Sequence, residues 1–401
     1  MISVDDFTAR HVSESDLEEL LEDRDPPALT IYLPTHRPND QADADRIRFR
    51  SALDRARELV AEREDDGRLT AELSEVEPLA REKEFWRRQA DGFALFMAPG
   101  FRRAYRLSGT VPELTTVGGE FHLLPLIELL QDPNRYWVLE VGQERVRLWK
   151  GDAEGARMLS PEALPVDLRD TLELEFERDV MTVLVRKESD GSHGEHGRGG
   201  LMPVFHGHGD RGPGKEEKIL REFFRGLDDA LNRVLGKGRA PVILATVKEN
   251  QSLFREASRT GLLADEGIVA NVRYWSPERV HEEAWPIARE ASRAYVGRAL
   301  EIWERAGGSE KTESDVANLS HLAAQGRLRL LMLERERRVW GRRDPGTGRV
   351  EFEREGGEDP DGHSVEILDA VARTVLRHGG TVLPLSAETI PVESGAAGVL
   401  W

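Results

Sequence analysis

Residues 191 to 214 combine the residue types that hold metals with those that contact phosphate groups. Four of the chain's 11 histidines lie there, within a glycine-rich run. Imidazoles and a carboxylate can ligate a divalent ion, and the candidate metal ligands are His193, His196, His206, His208 and Asp210. Glycine also lets a backbone approach a polyanion closely, and the candidate RNA-binding residues are Arg198, His206, His208, Arg211, Lys215 and Lys218.

The same stretch shows no helical or strand periodicity, which predicts a long loop between a strand at 182–186 and a helix from about Lys215. A long loop between two regular elements is typically functional or disordered. We predict a functional loop. No regular element holds the imidazoles in a fixed geometry, so we favour RNA contact over a metal site and expect no cofactor.

Three further groups of residues have a chemical and a structural interpretation. Thr35, His36 and Arg37 follow a strand and could bind an anion, but a simple strand-exit turn is favoured. Asp228 and Asp229 point about 100° apart on a helix, so they are expected on a solvated face rather than as a catalytic pair. Packing, rather than base stacking, is expected of the tryptophans Trp137, Trp149, Trp275, Trp285, Trp303 and Trp340.

The elements that must position these residues alternate between strands and helices, which predicts an α/β protein. The first part carries a strand at 28–33, helices over 49–60 and 69–79, and a hairpin of 93–98 with 103–107. The middle part carries a ribbon of 136–141 with 145–149, a helix at 215–235 and a central strand at 241–247. The last part carries helices at 276–306, 314–324 and 365–376, strands at 327–333 and 381–384, an irregular excursion at 342–362 and an edge strand at 398–401.

Length and composition narrow the possible classes. With 401 residues, the chain predicts three α/β domains, at 1–125, 126–275 and 276–401. The lack of cysteine excludes disulfides and thiolate metal sites. No apolar run approaches the ~18 residues of a membrane span and no secretion signal is recognisable, so we expect a cytoplasmic protein without a membrane partner.

Charge is unevenly distributed along the chain. The net charge of −18 argues against a DNA-binding protein or a general nucleic-acid binder. The segment from Lys187 to Arg239 is an exception, because its balance of +1 leaves −19 for the remainder. The predicted loop and the helix after it are therefore the part of the chain best suited to approach RNA.

Four segments, in this order, resemble the bacterial branch of the archaeo-eukaryotic peptide-chain release factor and pelota superfamily. They are Phe121-His-Leu-Leu-Pro-Leu-Ile-Glu-Leu-Leu-Gln131, His196-Gly-Arg-Gly-Gly200, Ala323-Ala-Gln-Gly-Arg-Leu-Arg-Leu-Leu-Met332 and Gly395-Ala-Ala-Gly-Val-Leu-Trp401. The resemblance implies a ribonuclease-H-like middle domain with a protruding Gly/His-rich loop. It also implies that the last domain is a pelota-type α/β sandwich.

The resemblance also implies what the loop does. Classical members carry Gly-Gly-Gln, which enters the peptidyl-transferase centre and helps water release the nascent chain. Gly199 and Gly200 match this motif, but Leu201 stands at the glutamine position. These three residues are the only catalytic candidates. An apolar side chain cannot orient water, and we find neither of the family's stop-codon-reading motifs, so stop-codon termination is not expected.

The sequence therefore predicts a release-factor-like, ribosome-associated translation factor for rescue, hibernation or quality control. Its expected partners are the rRNA or tRNA region of the ribosome and a translational GTPase. Residual peptidyl-tRNA hydrolysis stays open, although we expect binding rather than catalysis. Two alternatives remain, a metal-dependent hydrolase that uses the cluster from His193 to Asp210 and a ribosome-independent binding module.

Overall fold

The computed structural model describes residues 9–36, 41–62, 67–142, 146–159, 213–235, 238–272, 274–307, 309–355 and 364–401. Sheets and helices alternate along this chain, so the predicted α/β class is confirmed. The chain forms two compact units, Met1–Asp132 with Arg298–Trp401, and Pro133–Gly297. The division into three domains with boundaries at 125/126 and 275/276 stays a prediction. Among the described residues, no helix is both long and apolar enough to cross a bilayer.

A five-stranded sheet forms the first part of the chain. Its strands are β1 (Arg10–His11), β2 (Ala28–Pro34), β3 (Gly92–Ala98), β4 (Phe101–Leu107) and β5 (Leu114–Gly118). They lie in the order β1-β4-β3-β2-β5, with β3 antiparallel to both β2 and β4. The helices of this part are α1 (Glu14–Leu21), α2 (Ala42–Ala61), α3 (Arg68–Val76), a 3₁₀ helix (Glu77–Arg81), α4 (Lys83–Arg87) and α5 (Leu124–Leu130).

Strand β3 is buried along its whole length because both faces of the sheet are covered. Side chains alternate between faces along a strand. Phe93 and Leu95 accordingly join the core that contains Phe49 of α2, whereas Phe96 joins the opposite core, where its ring meets Phe121 edge-on at 5.4 Å. A continuous apolar run is what two covered faces require.

The middle unit contains a second five-stranded sheet. Its strands are β6 (Tyr136–Val141), β7 (Val146–Gly151), β8 (Ala156–Met158), β9 (Val242–Thr246) and β10 (Ile268–Val269). They lie in the order β10-β9-β6-β7-β8, in which β7 is antiparallel to both neighbours and β9 is parallel to β6 and β10. The predicted central strand at 241–247 is therefore confirmed. The ribonuclease-H-like assignment stays a prediction, which this strand order supports.

Three helices accompany this sheet, α6 (Pro213–Leu235), α7 (Lys248–Ala257) and α8 (Pro277–Ala306). Their bounds agree with the helices predicted at 215–235 and 276–306. Ser276 precedes α8, and the backbone N–H of Arg279 donates to the Ser276 hydroxyl at 3.4 Å. The serine-proline start predicted from sequence thus coincides with the observed first turn.

The last part of the chain carries two further sheets. One contains β11 (Thr312–Glu313), β12 (Leu328–Glu334), β16 (Thr381–Leu385) and β17 (Ala396–Leu400) in the order β11-β17-β12-β16, and the other contains β13 (Val339–Arg343), β14 (Val350–Glu355) and β15 (Val365–Glu366) in the order β14-β13-β15. The helices here are α9 (Val316–Ala324) and α10 (Ile367–Arg377). The pelota-type assignment of this part stays a prediction.

Two expectations for this part are wrong. The segment 342–362 is not irregular throughout, because β13 and β14 form a hairpin up to Glu355, and Arg342 pairs with Glu353 at 3.0 Å. Charged cross-strand pairs replace the apolar alternation that would have marked these strands. The terminal strand β17 is also not an edge strand, because it lies between β12 and the two-residue β11. Strand β11 could not be predicted from the sequence, because two residues are too few to show a periodic pattern.

The hairpin of β6 and β7 provides a test of core packing. Gly151 pairs with Tyr136, and a Cβ atom at Gly151 would overlap the buried tyrosine ring. We expect Gly151→Ala to lower the free energy of unfolding by about 1–3 kcal/mol, since overpacking forces the ring to move. Chemical denaturation measures the change.

Gly155 provides a matched control close in sequence, because a Cβ there would meet no atom within 4 Å. We expect Gly155→Ala to leave the unfolding free energy within ~0.5 kcal/mol of the parent value. Equal stability of the two variants would show that the ring does not restrict position 151.

Candidate functional site

The residues predicted to form the loop site fall in two groups. One group lies outside the described residues: His193, His196, Arg198, Gly199, Gly200, Leu201, His206, His208, Asp210 and Arg211. Their roles in metal binding, RNA binding and catalysis therefore stay predictions. The other group consists of Lys215 and Lys218, which lie in the first two turns of α6.

Helix α6 is firmly attached to the middle sheet by one apolar face. The buried residues of this face are Leu220, Phe224, Leu227, Ala230, Leu231 and Leu235. The ring of Phe224 meets Phe254 of α7 edge-on at 5.5 Å, and Arg221 forms an ion pair with Glu256 of α7 at 2.6 Å. The chain that directly follows the predicted loop thus continues into a helix with a fixed position in the middle unit.

Asp228 is a buried structural acid rather than a solvated one, which corrects the expectation for this residue. It is 1% exposed, and its carboxylate accepts hydrogen bonds from the Ser258 hydroxyl at 2.6 Å and the Arg259 backbone N–H at 2.8 Å. These groups follow α7, so Asp228 joins the two helices. Asp229 is exposed, as expected. The two carboxylates do not form a catalytic pair.

Glu140 is the buried carboxylate of β6, the strand at the centre of the middle sheet. The Trp149 indole N–H donates to it at 3.0 Å, and Arg147 forms an ion pair with its other oxygen. Both partners lie on the neighbouring strand β7, so the carboxylate is already neutralised and hydrogen-bonded. Among the residues described, no group of three His, Asp or Glu side chains is placed to hold a metal ion.

The segment after β2 is a strand-exit turn, as favoured from the sequence. The fully buried carboxylate of Asp45 accepts from the His36 backbone N–H at 2.9 Å and lies 2.8 Å from His36 Nδ1. The Thr35 hydroxyl donates to the Ala90 carbonyl at 2.8 Å. A carboxylate therefore fills the place in which an anion would bind. Arg37 lies outside the described residues.

The six tryptophans considered in the sequence analysis take packing positions. Trp137, Trp149 and Trp340 are buried, and Trp275, Trp285 and Trp303 are half-buried. The Tyr136 hydroxyl hydrogen-bonds to His281 Nδ1 at 2.7 Å, and the His281 ring stacks on Trp285. These aromatic rings join β6 to α8 within the middle unit, which agrees with the packing interpretation.

The first of the four motif segments joins the first and last parts of the chain. The buried carboxylate of Asp369 in α10 accepts hydrogen bonds from the backbone N–H groups of Leu123 and Leu124, at 2.7 and 2.6 Å. Arg373 donates to the same carboxylate at 2.8 Å and also pairs with Glu120 at 2.6 Å. The sequence around 121–131 is thus a docking segment for α10. Sequence reasoning missed Asp369 because its partners are about 250 residues away in the chain.

The local structure also explains the glycines of the C-terminal motif. Gly395 adopts a positive φ of 73° and accepts a hydrogen bond from Glu334, while a Cβ at Gly398 would overlap Leu319. Gly326, within the motif from Ala323 to Met332, has a φ of 66° where α9 turns into β12. Both positions favour glycine because other residues rarely adopt positive φ.

Burial affects the pKa values of three ionisable residues where the first and last parts of the chain meet. Burial alone would raise the pKa of Glu120, but Arg373 and Arg377 bring it below its usual value. Burial raises the pKa of Glu366 to about 8, although the backbone N–H groups of Val339 and Asp369 donate to it. Burial lowers the pKa of His122 to about 4, although the Asp369 carboxylate acts in the opposite direction. The imidazole is therefore neutral near pH 7.

Comparison with known families identifies a release-factor relationship. Residues 135–327 match the family described as bacterial archaeo-eukaryotic release factor family 3. This confirms the resemblance drawn from the sequence and supports a translation-related factor. The matched residues include the whole predicted loop and all of α6. A search of curated proteins found no match.

Several solved structures are similar to this chain at low identity. The archaeal translation termination factor aRF1 shares 12% identity over 97% of this chain and 98% of its own, with a TM-score of 0.26. S. cerevisiae Dom34, described as a translation termination-like factor interacting with Hbs1, shares 12% identity over 73% and 75%, with a TM-score of 0.37. Ribosome-bound archaeal Pelota with ABCE1 gives 10% identity over 77% of each chain and a TM-score of 0.33.

The buried histidine leads to a pH prediction. His122 has an unfolded pKa near 6.5 and a folded pKa of about 4, so the unfolded chain binds the proton first as the pH falls. The stability that this depressed pKa contributes is present above pH 6.5 and is lost towards pH 4. Between pH 7 and pH 5 we expect the parent protein to lose about 2 kcal/mol more unfolding free energy than His122→Asn.

Urea denaturation at both pH values measures this difference. The comparison uses the change with pH and not the absolute stability, so a general cost of the substitution does not affect it. Parallel pH dependences of parent and variant would contradict the neutral, buried state of His122.

Proposed function

We propose that this chain is a release-factor-like translation factor that binds the ribosome without reading stop codons, because residues 135–327 match the family described as bacterial archaeo-eukaryotic release factor family 3. Ribosome rescue, hibernation or quality control are the roles that fit such a factor. The observation that carries the proposal is the family match, which spans the glycine- and histidine-rich residues 191–214 and the helix that follows them.

Charge distribution supports the assignment of the binding element. The segment from Lys187 to Arg239 has a balance of +1 in a chain whose net charge is −18. RNA repels an acidic surface, so a chain of this composition approaches the ribosome best through its least acidic part. Arg198, Arg211, Lys215 and Lys218 are four of the ten basic residues in this segment, and we propose that they contact phosphate groups of rRNA or tRNA.

The attachment of α6 supports the same assignment. Its apolar face is buried against the middle sheet, and Asp228 ties it to the end of α7. A binding segment next to a well-anchored helix loses less conformational entropy on binding than one between two free ends. Phosphate contacts of this kind position a protein on RNA without reading sequence.

The leucine at position 201 argues against efficient peptide release. The resemblance places glutamine here, and the leucine side chain offers neither a donor nor an acceptor to a water molecule or a ribose. The backbone N–H at this position is the one group that remains available for an oxyanion. We therefore propose that the protein acts mainly by binding, with no cofactor.

The proposed partners are inferred from the family resemblance. We propose the rRNA and tRNA region of the ribosome as the main partner and a translational GTPase as a second one, in the cytoplasm. The metal-dependent hydrolase and the ribosome-independent binding module gain no support from the described residues. The candidate metal ligands from His193 to Asp210 lie outside those residues.

Co-sedimentation of the full chain with bacterial ribosomes tests the proposal. At about 50 mM salt we expect the parent chain to pellet with ribosomes, and at about 200 mM salt we expect much weaker binding, because released counterions drive phosphate-mediated contacts. The double variant Arg198→Gln/Arg211→Gln should lose about tenfold in affinity at the lower salt concentration.

The control is Arg289→Gln/Arg298→Gln, which removes two exposed arginines of α8 and the same net charge. It should bind within about twofold of the parent chain, if the loss depends on the loop rather than on overall charge. Failure of the parent chain to pellet at low salt would contradict the proposal. So would stoichiometric bound metal that disappears in His206→Ala/His208→Ala, since that result favours the hydrolase.

A further inference from the structure

One face of α2 lines a groove in the first part of the chain that contains none of the residues assigned to the proposed function. It has a volume of about 250 Å³ and lies between α2 and the 3₁₀ helix at Glu77–Arg81. Four arginines line it, Arg46, Arg50 and Arg57 from α2 and Arg81 from the 3₁₀ helix. Such a concentration of arginine stands out in a chain with a net charge of −18.

The four guanidinium groups differ in what they contact. Arg57 is held by Asp54 at 2.6 Å and also pairs with Glu77, and Arg46 pairs with Asp43 at 3.1 Å. Arg50 and Arg81 are exposed, and within the described residues neither has an ion pair or a side-chain hydrogen bond. The groove thus holds two anchored cations and two that are open to a ligand.

Helical spacing arranges these groups in a row. Arg46, Arg50 and Arg57 are separated by four and seven residues, so they lie on one face of α2 and about 6 and 10 Å apart along its axis. Leu53, on the same face, is buried beneath them, and Ile47 at the rim is 63% exposed. A row of cations beside apolar surface suits a chain of phosphates joined by sugars.

We infer that this groove is a second RNA-contact site, which binds the sugar-phosphate backbone of single-stranded RNA through Arg50 and Arg81. The inference rests on the proposed function for the source of the RNA, the ribosome or a bound tRNA. All four cations are arginine, whose planar fork matches the oxygens of a phosphate group. Among the lining residues there is no aromatic ring to stack on a base, so recognition is independent of sequence.

The carboxylates of Asp54 and Glu77 define the position of the ligand. Both are paired with Arg57, so two carboxylates face one guanidinium at this end of the groove, which disfavours an anion there. Arg50 and Arg81 have no carboxylate partner within the described residues. A phosphate therefore binds between these two residues rather than beside Arg57. The exposed Ile47 then covers the apolar face of the adjoining sugar.

Binding of a fluorescent oligouridylate of twelve nucleotides to the full chain tests the inference, with anisotropy as the readout. The variant Arg50→Gln/Arg81→Gln should weaken the affinity by at least fivefold at about 50 mM salt. It should also lower the slope of log K against log salt by about 1.4, since each lost phosphate contact in single strands counts for about 0.7. Arg50→Lys/Arg81→Lys should keep most of the slope.

The control is again Arg289→Gln/Arg298→Gln, which should match the parent chain in both affinity and slope. An unchanged slope in the groove variant would overturn the inference. So would displacement of the oligomer by uridine monophosphate at an equal phosphate concentration, because that result assigns a mononucleotide site.

Ribosome pelleting of the same variants separates this inference from the proposed function. If the parent chain pellets with ribosomes and the groove variant binds oligouridylate as the parent does, the groove is rejected and the function stands. If the groove variant loses oligouridylate binding while the parent chain does not pellet, the groove stands and the function is rejected.

Discussion

The buried carboxylate of Asp369 is the interaction on which the larger of the two units depends. It accepts from two consecutive backbone N–H groups at Leu123 and Leu124 and from the Arg373 guanidinium. These contacts join the end of the first sheet to a helix that follows about 250 residues later. A carboxylate without these donors would be an uncompensated buried charge, which is strongly destabilising. The contact therefore links two distant parts of the chain into one unit.

The middle unit is held together in a different way. An apolar helix face and a central parallel strand form its core, and the buried acids Glu140 and Asp228 are both occupied by structural partners. The two buried carboxylates of the described part of this unit are thus committed to holding it together. The segment between β8 and α6, which lies outside the described residues, combines glycine, histidine and arginine.

Local patterns in the sequence predict a large share of the fold. The apolar run at 241–247 predicts a central strand because both sheet faces are covered, and the periodicity of 215–235 predicts α6 because one helix face is buried. The hairpin of β13 and β14 could not be predicted from apolar patterns, since charged pairs such as Arg342 with Glu353 stabilise it. The burial of Asp228 could not be predicted either, because its partners Ser258 and Arg259 directly follow another helix, α7. The candidate site residues from His193 to Arg211 are predicted from sequence pattern and resemblance alone.

A photo-crosslinking amino acid in place of Leu201 gives the most direct measurement of the central claim, that residues 191–214 reach ribosomal RNA or tRNA. Illumination of the full chain bound to ribosomes would report which molecule lies next to this position. We expect crosslinks to rRNA or tRNA that disappear at high salt together with binding. Crosslinks confined to the protein's own chain, at salt concentrations where the chain pellets with ribosomes, would contradict it.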